Sequence, residues 1–310
     1  MKVRTIFEPC YVRPTDCAVD LVLSQVSTDE LLDLVTELQE VSSGYNKALV
    51  AAIVGAIESR GLLDSPELSG YLTVESKWRT TPVGRWLVAM LLERRGENEQ
   101  ALAVWDQVIH SQRGDIHEAH LSRSRVRSRL GDLAGAFTDL RQAVIGQEEY
   151  SFLTRAAKHF IRLREQGAPS FTRKIRIALL SSTTSGLIVP LLRLACFRDG
   201  IDAEVYTAAY GNFRQEILNP ASSLYTFKPD FVIIATNWRD ANLPAFSAAP
   251  ESAIQQVVSD FQQLWQSLLE RHECRIIQHN FDLPGIDSYG YLGSRLNGGR
   301  AYMLREINRR

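Results

Sequence analysis

Four short segments hold most of the chemically able side chains in the second half of this chain: "SSTTSG" (181–186), "YGNFRQE" (210–216), "ATNWRD" (235–240) and "QHNFD" (278–282). Hydroxyls, carboxamides, an imidazole and guanidinium groups orient a small polar ligand, and with a base in reach they activate a hydroxyl for acyl transfer. The candidates are Ser182 and Thr184 in the first segment and Gly211, Asn212 and Arg214 in the second. Asn237 and Arg239 in the third and His279 and Asn280 in the fourth complete the set. Arg214 or Arg239 suits a carboxylate or phosphate, held through a two-pronged contact. Phe213, Trp238 and Phe281 are candidates for an apolar wall. Each group also has a structural reading. Ser182, Thr183 and Thr184 suit a helix cap, Asn212 and Asn237 suit turns, and a lone His279 suits a hydrogen-bonded structural role.

Each segment ends an apolar run. "KIRIALLSS" from Lys174, "AEVYTAA", "DFVIIAT" and "CRIIQHN" read as strands. Between them, "LIVPLLRLACFRDG" reads as a helix with Pro190 in its first turn, and Glu251 to Arg271 as a long amphipathic helix. Strands separated by helices predict a mostly parallel sheet covered on both faces, a three-layer α/β domain over 169–310. Ligands of such sheets sit beyond the carboxyl ends of the strands. Thr184, Asn212, Asn237 and His279 are therefore expected to line one cleft at that edge. The chain has no G-x-S-x-G, no G-x-x-x-x-G-K-[ST] and no G-x-G-x-x-G, so a hydrolase elbow, a P-loop and a dinucleotide fingerprint are unsupported.

The first half, 1–168, reads as helix after helix up to a linker at Gly167-Ala168-Pro169-Ser170. Thr28-Asp29-Glu30 is a candidate helix start, Ala48 to Ile57 an apolar helical stretch, and Pro82 opens a helix that Gly96 closes. Gly96, Ala101, Trp105 and Ile109 recur 35 positions later as Gly131, Ala136, Leu140 and Val144. That offset is close to the tetratricopeptide period. A third unit counted back to Gly61 fits poorly, because Pro66 stands where the alanine should be; an unrelated helical bundle is the alternative. Arg123, Arg125, Arg127 and Arg129 also lie here. At helical spacing 123 and 127 share one face and 125 and 129 another. The plain reading is a solvated face, and the sharper one is a docking patch for an acidic partner.

Lys plus Arg number 35 and Asp plus Glu 36. That balance argues against a general nucleic-acid binder. No apolar run approaches the roughly 20 residues that span a bilayer, so no membrane partner is expected. Cys10, Cys17, Cys196 and Cys274 are far apart and form no C-x-x-C, which leaves no metal or redox motif; a reduced cytoplasm is the default compartment.

"IRIALLSSTTSGLIVPLLRLACFRDGIDAEVYTAAYGNFRQEIL", "LYTFKPDFVIIAT" and "RIIQHNFDLP" with "YGYLG" resemble the amino-terminal portion of FkbH-like proteins, from about Lys174 to the end. The resemblance implies a part in moving a glyceryl unit from bisphosphoglycerate, through a cysteine thioester, to an acyl carrier protein in polyketide or related biosynthesis. It also implies an SGNH-hydrolase-like fold, followed in the family by a haloacid-dehalogenase phosphatase domain; some relatives carry tetratricopeptide-like repeats in front. Alignment to an SGNH fold puts Thr184 at the nucleophile position and Gly211 and Asn237 at the oxyanion hole. The pattern departs in two ways. No D-x-D-x-T motif occurs, so the phosphatase chemistry, and the magnesium it would use, belong to a domain that this chain does not show. No D-x-x-H occurs either, so Thr184 has a base only if the fold brings His279 within reach. The chain stops at "LREINRR", within an amphipathic pattern that is expected to continue, which reads as a fragment or a truncated relative.

Two classes of function follow. One is the non-phosphatase part of a glyceryl-transfer enzyme, binding a small anionic or glyceryl ligand at the sheet and docking a carrier protein through its repeats. The other is an interaction module whose pocket has lost catalysis.

Overall fold

A computed structural model describes residues 27, 31, 47–73, 75–111, 115–167, 171–285 and 289–310. They form two compact units that divide between 169 and 170. The expected helix after Thr28 falls outside the described residues, apart from Leu31.

The first unit is helical. Helix α1 (Lys47–Ser59) ends at Gly61, whose φ of +68° makes the turn. Ser65 then caps α2 (Pro66–Leu72), accepting from the Leu68 N–H with Pro66 in the first turn. The proline that weakens the repeat pattern is therefore a helix start. Thr81 caps α3 (Pro82–Arg94) in the same way. Next come α4 (Asn98–His110), α5 (Ile116–Arg129), α6 (Leu133–Val144) and α7 (Tyr150–Gln166).

The 35-residue offset has a structural counterpart. Gly96 (φ +77°) and Gly131 (φ +83°) close α3 and α5. In both turns the residue after the glycine donates back to the carbonyl five earlier, Glu97 to Leu92 and Asp132 to Arg127, each at 3.0 Å. This is the Schellman closure, and it needs the left-handed conformation that glycine adopts without strain. Ala101 and Ala136 are fully buried, as are Trp105 and Leu140, so α4 and α6 pack through equivalent positions. Trp86 and Trp105 meet edge to face at 4.8 Å in the core of this unit.

The second unit contains a four-stranded sheet. Its strands are β1 (Arg173–Ser181), β2 (Ile201–Thr207), β3 (Phe231–Ala235) and β4 (Arg275–Gln278). All pairings are parallel and the order is β2-β1-β3-β4. Helix α8 (Ile188–Arg198) links β1 to β2, and α11 (Pro250–Arg271) precedes β4. Two short helices, α9 (Phe213–Leu218) and α10 (Ser223–Phe227), lie between β2 and β3. The chain closes with α12 (Arg300–Arg309). The strands bury Ala178, Leu180, Val232 and Ile234 against Ile254, Phe261 and Leu268 of α11 and Met303 and Leu304 of α12.

One segment departs from its sequence reading. "YGNFRQE" reads as a polar strand end, yet α9 begins inside it. Phe213 and Ile217, four apart, are both buried and form a helical stripe. Phe213 stacks on Phe261 (6.4 Å), and Phe281 meets Phe261 edge-on (5.2 Å). These two phenylalanines are core residues rather than an exposed wall.

Candidate functional site

Topology selects the place where a ligand fits. From β1 the chain moves to β2 on one side, then crosses back to β3 on the other, so the strand order reverses between β1 and β3. In open parallel sheets the crevice lies at that switch point, outside the carboxyl ends. The two strands finish level, with Ser181 opposite Ala235.

The side chains just past these two ends meet. The Asn237 carboxamide Nδ2–H donates to the Ser182 Oγ at 3.0 Å, and its Oδ1 accepts from the Arg239 N–H at 2.9 Å. Asp240 in turn accepts from the Asn237 N–H at 2.8 Å, closing a capping box on the short 3-10 turn Trp238–Ala241. Asp282, after β4, accepts from the Trp238 N–H at 2.8 Å. Asn237 is therefore at once the turn residue and the group that fixes Ser182.

The hydroxyl run does not cap α8. The cap position is Leu187, which makes no side-chain cap bond, and the Ser185 carbonyl accepts from Ile188 and Val189. Instead Ser181 Oγ accepts from the Thr183 N–H at 3.0 Å and lies 3.1 Å from the Thr183 hydroxyl. Ser181 and Ser182 are buried, whereas Thr183 and Thr184 are exposed. Among the described residues no hydrogen bond joins Thr184 to His279, so the position aligned with a nucleophile has no base in contact. Without one a hydroxyl is a weak nucleophile.

Two cations at this edge behave differently. The Arg214 guanidinium lies over the rings of Phe213 (5.3 Å) and Phe261 (5.2 Å) and donates to the Asp240 carbonyl. It is held by the fold. Arg239 is exposed and lies over Trp238 at 4.5 Å, and Arg300 approaches the same ring at 5.0 Å. Among the described residues no carboxylate pairs with Arg239. The loops after β1 and β2 also expose Leu187 and Tyr210, and the first residue of α8, Ile188, is exposed beside them.

Gly211 (φ +74°) makes the turn before α9, where Asn212 is exposed in the cap position without a cap bond from its side chain. His279 and Asn280 line a separate cavity of about 170 Å³ with Phe261, Trp265 and Asn308. The Gln278 carboxamide bridges Thr236 and Trp265 beside it. The structure thus joins Ser182, Asn237 and Arg239 in one constellation and sets His279 and Asn280 in another. Cys196 is half-buried, and burial followed by the charge of Asp199 pushes its thiol up, away from the reactive thiolate. Among the described residues no group of three or more His, Cys, Asp or Glu side chains is placed to hold a metal ion.

In the helical unit the four arginines of α5 separate as their spacing predicts. Arg123 makes two bonds to Asp139 (2.8 and 2.5 Å) and one to Asp106 (2.7 Å), and Arg127 reaches Asp139 at 3.2 Å. His120 also meets Asp139, at 3.1 Å. Burial alone would raise the Asp139 carboxyl, but the bonds from His120 and Arg123 and the charges of Arg123 and Arg127 hold it below its ordinary value. Arg123 and Arg127 are thus structural. Arg125 and Arg129 instead line a cavity of about 380 Å³.

Comparison with known proteins adds one firm result. Residues 176–310, covering nearly all of the sheet unit, match the family model described as the FkbH N-terminal domain. No curated protein matches the chain significantly. One solved structure is similar in part: the N-terminal part of the protein BF1531 from Bacteroides fragilis, containing a phosphatase domain complexed with Mg. The likeness runs at 20% identity with a TM-score of 0.41, over 53% of this chain and 41% of that one. The match therefore spans about two fifths of that solved chain, itself the N-terminal part of its protein. Among the described residues no helix is long and apolar enough to cross a membrane.

Proposed function

We propose that the sheet unit is the non-phosphatase, ligand-binding part of an FkbH-like glyceryl-transfer system, with an SGNH-like sheet that binds rather than hydrolyses. The observation that carries this reading is the Ser182–Asn237 pair at the switch point, with the uncompensated Arg239 beside it. The Ser182 oxygen accepts from Asn237, which leaves its own proton for a ligand oxygen. Arg239 supplies a positive charge for a carboxylate or phosphate. Leu187, Ile188 and Tyr210 offer apolar surface for the arm of a carrier-bound substrate. The family match over 176–310 supports the same role. The helical unit, read as tetratricopeptide-like, docks the acyl carrier protein. The reading as a pure interaction module draws support from the exposed Thr184 and its lack of a contacting base.

Titration calorimetry with 3-phosphoglycerate tests the proposal. Binding is expected to weaken by about tenfold or more in Arg239→Ser, the effect of losing one charge-assisted contact, and by less in Ser182→Ala. Equal affinity in all three proteins, with all three folded, would remove the ligand from this edge.

A further inference from the structure

Arg125, left aside by the Asp139 network, belongs to a larger cationic surface within the helical unit. The 380 Å³ cavity, whose inner lining includes Trp86 and Met90, shares Arg125, Arg129 and Arg155 with a neighbouring cavity of about 330 Å³. The second cavity adds Lys158 and Arg162 of α7. Arg155, Lys158 and Arg162 fall three and four apart, so they share one helix face, opposite the pair Arg125 and Arg129 on α5. Two carboxylates lie on this surface, and both are engaged. Glu118 holds Arg155 through two bonds of 2.7 Å. Glu93 accepts from Trp105 Nε1–H at 2.8 Å and meets Arg129 at 3.3 Å. Arg94 also lines the first cavity and is paired with Glu58, so six cations face two acids on this surface. Among the described residues none hydrogen-bonds or ion-pairs with the half-buried Arg125 side chain.

Withdrawing a guanidinium from water without a partner costs stability. Arg125 carries that cost; the charges of Glu118 and Glu93 offset part of it, and the charges of Arg155 and Arg129 add repulsion. An anion seated there would relieve both. The apolar inner end and the cationic outer end ask for a ligand that alternates the two characters.

We propose that the α5–α7 face of the helical unit is a groove for an acidic peptide segment of a partner protein, with a carboxylate on Arg125, further carboxylates on Lys158 and Arg162, and an apolar side chain towards Trp86 and Met90. This rests on reading the helical unit as a docking domain and names its site. It moves that site from the whole arginine run to a groove that excludes Arg123 and Arg127.

The test uses the full chain and a short fluorescein-labelled peptide that alternates aspartate or glutamate with leucine. The expected result is saturable binding by anisotropy that weakens as salt rises. Binding is expected to fall about tenfold or more in Arg125→Met and further in Arg125→Met with Arg162→Ser. The exposed pair Arg173→Ser with Lys174→Ser, on the sheet unit, should leave it unchanged. Arg125→Met should also melt no lower than the parent, because it removes an unpaired cation. No peptide binding, equal binding in the groove variants, or binding of the asparagine–glutamine version of the peptide as tight as the acidic one would overturn the proposal. So would occupancy of the groove by inorganic phosphate with no peptide binding, or a clear fall in the melting point of Arg125→Met. Retained peptide binding without binding of an acyl carrier protein would sink only the carrier assignment of the preceding section.

Discussion

Asp139 sits 99% out of solvent in contact with two guanidinium groups and an imidazole, and it anchors the Arg123/Arg127 face of α5. A run of alternating arginines in sequence looks uniform. Its helical phase separates it into two faces, but only Asp139, Asp106 and Asp132 on other segments determine that the 123/127 face is the one neutralised. Replacing the carboxylate while keeping its shape would leave two desolvated cations facing a neutral amide. Asp139→Asn is expected to destabilise the helical unit by about 3–5 kcal/mol, the usual cost of breaking a buried ion pair by removing one partner. Urea unfolding followed by circular dichroism measures it. A loss below about 1 kcal/mol would show that the network is no stronger than an exposed pair. The sheet edge has its own lesson at this scale. Ser182, Asn237 and Arg239 were legible as candidates from residue type and strand-end position. That Asn237 binds Ser182 and not Thr184, and that His279 faces a separate cavity, depends on side-chain directions that strand periodicity does not carry.

At the scale of elements, the four strands and the long helices were readable because apolar alternation and helical stripes are local signals. Helix α9 was not, since only Phe213 and Ile217 mark its buried face. The cationic face of α7 was legible in principle, because Arg155, Lys158 and Arg162 have helical spacing. Its pairing with α5 was not, because the two helices meet only in the fold. Besides the Glu118–Arg155 pair, a buried bond joins them: Ser124 of α5 donates its hydroxyl proton to the Ala136 carbonyl (2.7 Å) and so accepts from His159 Nε2–H of α7 at 2.9 Å. Burial first, then the charges of Arg125 and Arg162, lower the His159 imidazole to about 4. The folded unit therefore prefers neutral His159. Its contribution is fully present above the unfolded value of about 6.5 and is lost as pH falls towards 4. The difference corresponds to about 3 kcal/mol between these limits. Thermal melts of the parent and His159→Gln from pH 7 to pH 4 check this. The gap between the two curves is expected to narrow on acidification, and parallel curves would contradict the assignment.

For the whole molecule, the two units carry different chemistry, a cationic surface on helices and a polar switch-point edge on a parallel sheet, within a chain of net charge -1. Long-range charge steering is thus confined to local patches rather than spread over the surface. The proposed function predicts that the chain holds a phosphorylated glyceryl compound at this edge and leaves its phosphate ester intact. Phosphorus NMR reads both halves at once, on 3-phosphoglycerate mixed with the purified chain and magnesium. The account predicts a saturable shift or broadening of the ester resonance, reversed in Arg239→Ser, with no inorganic phosphate signal over hours. An ester resonance unaffected by the protein, or a growing inorganic phosphate peak that scales with protein concentration, would contradict it.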